Sequence, residues 1–369
     1  MATRDERSVA FVSMSGRDSA MWFSFTGLYH ALQDAEVASE FYFPSTQPDA
    51  EKDYNKQCFF YRLKKPVKTF LSVWRLARTL NANHSKVVVF SQGIFSALLV
   101  FLLKRHVEVV AWAHEIDNYV ARSGLLRGLN YLISDRYMGL RTSTVLVGSD
   151  QLFAKAQKQY PRKRVVNSCL PLSGDFYTAL KTSTPSEPVA QVADAASPVR
   201  ILFFGGITAY KGLHHLDEAI RRLPEGTLDI KIIGRGDLKT LAPELYARAQ
   251  GKKDVVWVNR FASAEEVIEE LNKTDMMFAM YDSVTATSLI DIANSTGVPV
   301  LASELAFFKT KIVDGVNGFI VNRDSLYSFL NEYKQISCPT RNQVMEHFVT
   351  SGVNNQCVDA LLNNGVVRR

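Results

Sequence analysis

PVRILFFGGITAYKGL, residues 198–213, changes local character twice. Arg200 to Phe204 is a short β-branched and aromatic run, the pattern of a buried strand. Gly205 and Gly206 follow at once, where the backbone must turn tightly or approach a ligand closely. From Leu213 to Leu223, apolar residues at Leu213, Leu216, Ala219, Ile220 and Leu223 carry helical spacing. A strand, a glycine turn and a helix point amide N–H groups and a helix N-terminus at an anion. Lys211 adds a positive charge on a flexible stem. An ordinary βα turn with a solvated lysine satisfies the same residues, so the stretch fixes local structure before it fixes chemistry.

The rest of the chain supplies the context. At 369 residues, two domains are expected, and 47% hydrophobic residues suffice for sizeable cores. Cys58, Cys169, Cys338 and Cys357 are far apart and form no CxxC pair, so neither a zinc site nor a disulfide framework is expected. A reducing, cytoplasmic setting is the simplest reading. The first seven residues, MATRDER, are too polar for a signal peptide. The longest apolar stretch, residues 94–103, falls far short of the ~20 residues that span a bilayer. The net charge of +6 is uneven: residues 1–182 hold 24 Lys and Arg against 15 Asp and Glu, and the remainder is mildly acidic. Only the first half is therefore suited to an anionic surface. No nucleic-acid recognition motif is present, and no nucleic-acid partner is expected.

Taken in order, residues 8–14 read as a strand, 15–19 as a polar loop containing Gly16, and 21–32 as a helix, without the GxGxxG spacing of a dinucleotide fingerprint. Strands are expected at 40–43, 86–90, 107–113, 144–147 and 165–172, and helices at 66–80, 93–105 and 125–140. Successive βαβ passes imply a parallel sheet with helices on both faces. The strand 107–113 runs into His114, Glu115, Ile116 and Asp117, and ligands of such sheets gather at strand carboxyl ends. Residues 182–198, rich in Ser, Thr, Pro and Ala, read as a linker. Strand and helix then alternate again, with strands at 200–204, 228–233, 255–258, 276–280 and 299–302, and a hairpin-like turn at 313–321. The expected division is 1–182, a linker 183–198, 199–335, and C-terminal helices 336–369 that pack back on the first domain.

Two Rossmann-like α/β halves on a linker resemble the GT-B fold, with two doubly wound parallel-sheet domains facing each other across a cleft. In the second half, FFGGITAYKGL (203–213), KIIGRGD (231–237), TGVPVLAS (296–303) and DGVNGF (314–319) resemble, in order, the glycine-turn and Lys-Gly, Gly-x-Gly, Gly-x-Pro-Val and glycine-turn motifs of family-4 glycosyltransferases. AHEID, residues 113–117, stands where that family often has His-Asp. Two departures mark the chain as divergent. The family's arginine five residues before the lysine is Gly206 here. The second glutamate of its Glu-x7-Glu pair, five residues before the Gly-x-Pro glycine, falls on Ile292, with Asp291 one residue away.

The resemblance implies a glycosyltransferase of the hexosyltransferase type that takes a UDP- or GDP-sugar, needs neither cofactor nor metal, and serves a glycan or lipid-linked acceptor in polysaccharide biosynthesis. Alternatives are a GT-B-like epimerase or phosphorylase and a non-catalytic glycosyltransferase-like subunit. The expected donor-binding residues are Gly16, Gly205, Gly206, Lys211, Arg260, Asp282, Thr285, Thr287, Ser288 and Asp291. The glycines offer N–H groups, Lys211 a cation, the Thr/Ser loop hydroxyls, Asp291 an acceptor for ribose hydroxyls and Arg260 a border to the base. His114, Glu115 and Asp117 are the catalytic candidates. A retaining reaction, as in family 4, leaves His114 and Glu115 to shape the sugar pocket, whereas an inverting one takes Glu115 or Asp117 as general base. The basic, apolar-interleaved helices 66–80 and 125–140 suit peripheral docking on an anionic membrane.

Overall fold

Short β-branched and aromatic runs alternate with amphipathic helices along almost the whole chain, and each run forms a parallel strand. The computed structural model describes residues 8–14, 20–44, 57–62, 64–90, 93–113, 116, 139–182, 197–251 and 254–369. The chain divides into two units, residues 1–174 with 354–369, and residues 175–353.

In the first unit the strands are β1 (Val9–Ser13), β2 (Ser39–Pro44), β3 (Gln57–Phe59), β4 (Lys86–Phe90), β5 (Glu108–Ala113), β6 (Thr144–Val147) and β7 (Arg164–Asn167). Their order is β3-β2-β1-β4-β5-β6-β7, and every pairing is parallel. The chain winds outward from β1 and returns to lay β4 on its other side, a doubly wound sheet. One face is aromatic: Phe25 lies with ring centroids about 5 Å from Phe41, Phe43 and Phe90. The other face packs Val73, Leu76, Ala77 and Leu80 of the helix Pro66–Asn83 on Val87 and Val89. The final helix, Val353–Asn363, joins this unit through the Leu172 amide, which donates to Asn354 Oδ1 at 2.9 Å, and the Arg164 guanidinium, which donates to Asn364 Oδ1 at 2.8 Å.

The second unit contains β8 (Val199–Phe204), β9 (Leu228–Ile233), β10 (Val255–Val258), β11 (Met276–Ala279), β12 (Val300–Ser303) and β13 (Gly318–Val321). Their order is β10-β9-β8-β11-β12-β13, again all parallel. The hairpin-like turn expected at 313–321 is a turn that delivers a further parallel strand, because Gly318 opens β13 beside Val300. Ile201, Phe203, Ile230, Phe278 and Leu301 share one face of this sheet and belong to its buried core. Arg341, at the start of the helix Arg341–Ser351, is buried and donates to the carbonyls of Leu271, Asn272 and Thr296 at 3.0–3.2 Å. These carbonyls lie at the C-terminal ends of two helices, so one guanidinium ties both ends together.

Candidate functional site in the second unit

The strand order places a switch point between β8 and β11, where the chain leaves the sheet in opposite directions and a crevice opens at the carboxyl ends. Gly205 follows β8 there with φ +118°, a conformation that a side chain would strain. The turn then runs through a short 3-10 segment, Ala209–Lys211, to Gly212 at φ +71°. A methyl group on Gly212 would stand 1.8 Å from the Met280 carbonyl oxygen. Glycine at this position therefore lets the turn press against the end of β11. The Asp282 amide donates to the Tyr210 carbonyl at 2.7 Å, and Ser303 Oγ donates to the Tyr281 carbonyl at 2.6 Å. The turn after β8, the loop after β11 and the end of β12 are thus joined, by one backbone and one side-chain hydrogen bond.

Lys211 comes to rest inside this arrangement. Its Nζ lies 5.9 Å from the Phe203 ring centroid and 5.7 Å from that of Tyr281. No carboxylate pairs with it among the described residues. Burial without a counter-charge pushes its pKa down to about 8. An ammonium in such a place has lost much of its hydration and is poised for an anion.

Asp282 sits on the neighbouring side. Its Oδ1 lies 2.9 Å from His215 Nε2 and 2.7 Å from Arg323 Nη2, and its Oδ2 lies 3.6 Å from His214 Nε2. The ligand atoms of His214, His215 and Asp282 all lie within 4.8 Å of one another, close enough to hold a cation in principle. Arg323 already sits on the same carboxylate, and its charge opposes one. The cluster is better described as an ion network that fixes the β11 loop to the helix Leu213–Ile220 and to the turn after β13. Burial and the neighbouring His215 push the pKa of His214 down.

The remaining expected donor residues fall into separate groups. Thr285, Thr287 and Ser288 lie in the loop between β11 and the helix Leu289–Ser295, where Thr287 Oγ1 accepts from the Leu289 amide at 3.3 Å and the Ser288 side chain makes no cap. Asp291 is 5% exposed, with Oδ1 3.8 Å from Lys311 Nζ, and burial raises its carboxyl pKa. It is not the solvated helix carboxylate that its neighbourhood in the sequence allows. Arg260 follows β10 at the sheet edge and pairs with both oxygens of Glu266 at 2.6 and 2.7 Å. Gly16, His114, Glu115 and Asp117 lie outside the described residues, as does most of the expected helix 125–140. His215, Tyr281 and Arg323 were missed from the sequence. Only the helical phase of residues 213–220, with Leu213 and Leu216 buried, could have aimed His215 toward the crevice rim.

Residues 198–336 match the family model described as Glycosyl transferases group 1. Among solved structures, Anabaena HepE in complex with UDP-glucose superposes with a TM-score of 0.69 at 15% identity, covering 96% of this chain and 99% of that one. Sucrose-phosphate synthase from Thermosynechococcus elongatus gives 0.66 at 14% identity, covering 98% and 100%. The lipopolysaccharide outer core galactosyltransferase WaaB, in its apo form, gives 0.65 at 15% identity, covering 97% and 99%. No curated protein sequence matches the chain.

Proposed function

We propose that this chain, a divergent glycosyltransferase of the GT-B fold, transfers a sugar from a UDP-sugar to a glycan or lipid-linked acceptor, with retention at the anomeric carbon. The observation that carries the donor reading is Lys211, a half-buried cation without a carboxylate, placed over a glycine turn at the switch point of a doubly wound sheet. A nucleotide-sugar brings a pyrophosphate of about two negative charges, and the leaving nucleoside diphosphate gains more as the sugar–phosphate bond breaks. Lys211 and the Gly206 N–H meet that charge where it grows, in a partly desolvated place, while the Gly205 N–H, expected to join them, is held by the Ile233 carbonyl at 2.9 Å. The hydroxyls of Thr285, Thr287 and Ser288 border the sugar phosphate. Asp291, steadied by Lys311, is assigned to the ribose hydroxyls, and Arg260 to the border of the base. HepE was solved with UDP and with UDP-glucose, which favours UDP over GDP as the nucleotide. His114, Glu115 and Asp117 are assigned to the acceptor side. No metal is required in this scheme, since Lys211 supplies the cation.

Peripheral docking on an anionic membrane belongs to the same proposal. Its support is the outer face of the helix Pro66–Asn83, where Val67, Phe70, Leu71 and Trp74 are 73%, 45%, 47% and 41% exposed. Lys64, Lys65, Lys68, Arg75 and Arg78 surround them. Four large apolar side chains in one basic frame suit an interfacial helix better than a solvated one. Among the described residues no helix is long and apolar enough to cross a membrane.

Incubation with UDP-, GDP- and ADP-sugars, with free nucleoside diphosphate measured, tests the donor assignment. Release of UDP from one sugar, increased by a glycan or lipid-linked acceptor, is expected. Epimerised donor without release would favour the epimerase alternative, and no binding or turnover of any donor would favour a non-catalytic subunit.

A further inference from the structure

The donor reading leaves an imbalance. A pyrophosphate of about two negative charges meets one cation, Lys211. Other basic groups of the second unit's loops are already engaged: Arg323 with Asp282, Lys311 with Asp291, Arg260 with Glu266 and Lys309 with Glu304. Arg235 is different. It is exposed, and its side chain pairs with no described residue.

Its place in the ladder is specific. β8 and β9 run in a register that pairs Phe204 with Ile233, and their pairing continues past the strand ends to Ile207 and Gly236. The same register sets Gly206 opposite Arg235. The Ile207 amide donates to the Arg235 carbonyl at 2.9 Å, and the Gly205 amide donates to the Ile233 carbonyl at 2.9 Å. A methyl group on Gly234 would stand 1.9 Å from the Gly205 carbonyl oxygen, so the two turns touch. Neighbouring strands lie about 4.8 Å apart, well within the reach of an arginine side chain. Gly206 itself has open space where a side chain would start.

We propose that Arg235 is the second cation of the donor site, a diphosphate-binding residue delivered from β9 across the ladder from Gly206. This rests on the donor reading above. A guanidinium suits the task because it keeps its charge at all working pH values and presents paired N–H donors to phosphate oxygens. Lys211 then faces the diphosphate from one side of the glycine turn and Arg235 from the adjoining turn.

Calorimetric titration of the full-length chain with UDP, UMP and uridine tests this, with thermal melts confirming that each variant is folded. Arg235→Ala is expected to weaken UDP at least tenfold, to weaken UMP less and to leave uridine unchanged. Arg235→Lys is expected to recover part of the loss. Gly206→Arg placed on Arg235→Ala is expected to return UDP affinity to within about threefold of wild type, because it restores a guanidinium at the same level of the ladder. UDP affinity unchanged in Arg235→Ala would overturn the assignment, and so would equal losses for UDP and uridine or no recovery in the double variant. A wild-type chain that binds no UDP would instead overturn the donor reading on which the inference stands.

Discussion

The Lys211 ammonium lies over Gly205 so closely that a methyl group on that glycine would stand 2.4 Å from Nζ. The cation occupies the space that a side chain would fill. The φ of +118° requires glycine at this position, and the absence of a side chain leaves the lysine its place.

The first prediction concerns pH. Burial lowers the Lys211 pKa to about 8, so the group is charged below that value and neutral above it. An anion binds the charged form. UDP affinity should hold between pH 6.5 and 7.5 and fall above pH 8, by up to about tenfold per unit, as the free protein loses the proton that the complex keeps. Lys211→Arg should flatten this slope, because a guanidinium stays charged. A slope that persists in Lys211→Arg would assign the titration to another group.

A second prediction follows from the same burial. The folded-state pKa of Lys211 lies below its ordinary value of 10.5, so the unfolded chain binds more protons between those values and folding stability rises with pH across that window. Below pH 8 the buried charge costs the fold about 3 kcal/mol, taken as an upper figure. Lys211→Met should raise the melting temperature at pH 7, with the gain shrinking toward pH 10.5, while UDP binding is lost. A lower melting temperature at pH 7 would show that Lys211 stabilises the fold.

Gly212 and Gly206 should respond differently to the same substitution. A methyl group on Gly212 meets the Met280 carbonyl at 1.8 Å, in a left-handed conformation, whereas Gly206 has nothing within 4 Å. Gly212→Ala should cost roughly 2–4 kcal/mol and push the Lys211 turn away from β11. Gly206→Ala should leave the denaturation midpoint nearly unchanged. Similar midpoints for both variants would contradict the close packing of the turn on β11.

The membrane proposal is tested by sedimentation with vesicles. Binding to vesicles rich in phosphatidylserine should exceed binding to neutral ones and weaken with salt, since each basic residue near an anionic surface contributes about 1 kcal/mol. Replacing Phe70 and Trp74 together by Ser should reduce binding further without unfolding the chain, because both rings already face solvent. Equal, negligible sedimentation with both vesicle types would leave the helix a solvated surface.

Much of the fold was legible because buried parallel strands are short β-branched runs with punctuated ends. Lys86–Phe90, Thr144–Val147, Leu228–Ile233 and Val255–Val258 fall where the sequence places them. Helix ends were less legible: the helix expected to reach Leu223 stops at Ile220, and Gln57–Phe59 is too short to carry a period. Of the site, the glycine turn and Lys211 could be read, because backbone geometry dictates glycine and a βα turn places the lysine. The Asp282 network could not, since Asp282 and Arg323 are joined only when β11 and β13 enter the same sheet. The position of Arg235 opposite Gly206 likewise depends on register, which neither strand records alone.

The central claim is that Lys211 holds the donor diphosphate. The most direct measurement is calorimetric titration of UDP into the wild-type chain and into Lys211→Ala at pH 7. A charge-assisted contact in a partly desolvated site predicts a loss of roughly 1.5–3 kcal/mol in the variant, about ten- to 150-fold in Kd. Equal Kd values for the two proteins would contradict the account.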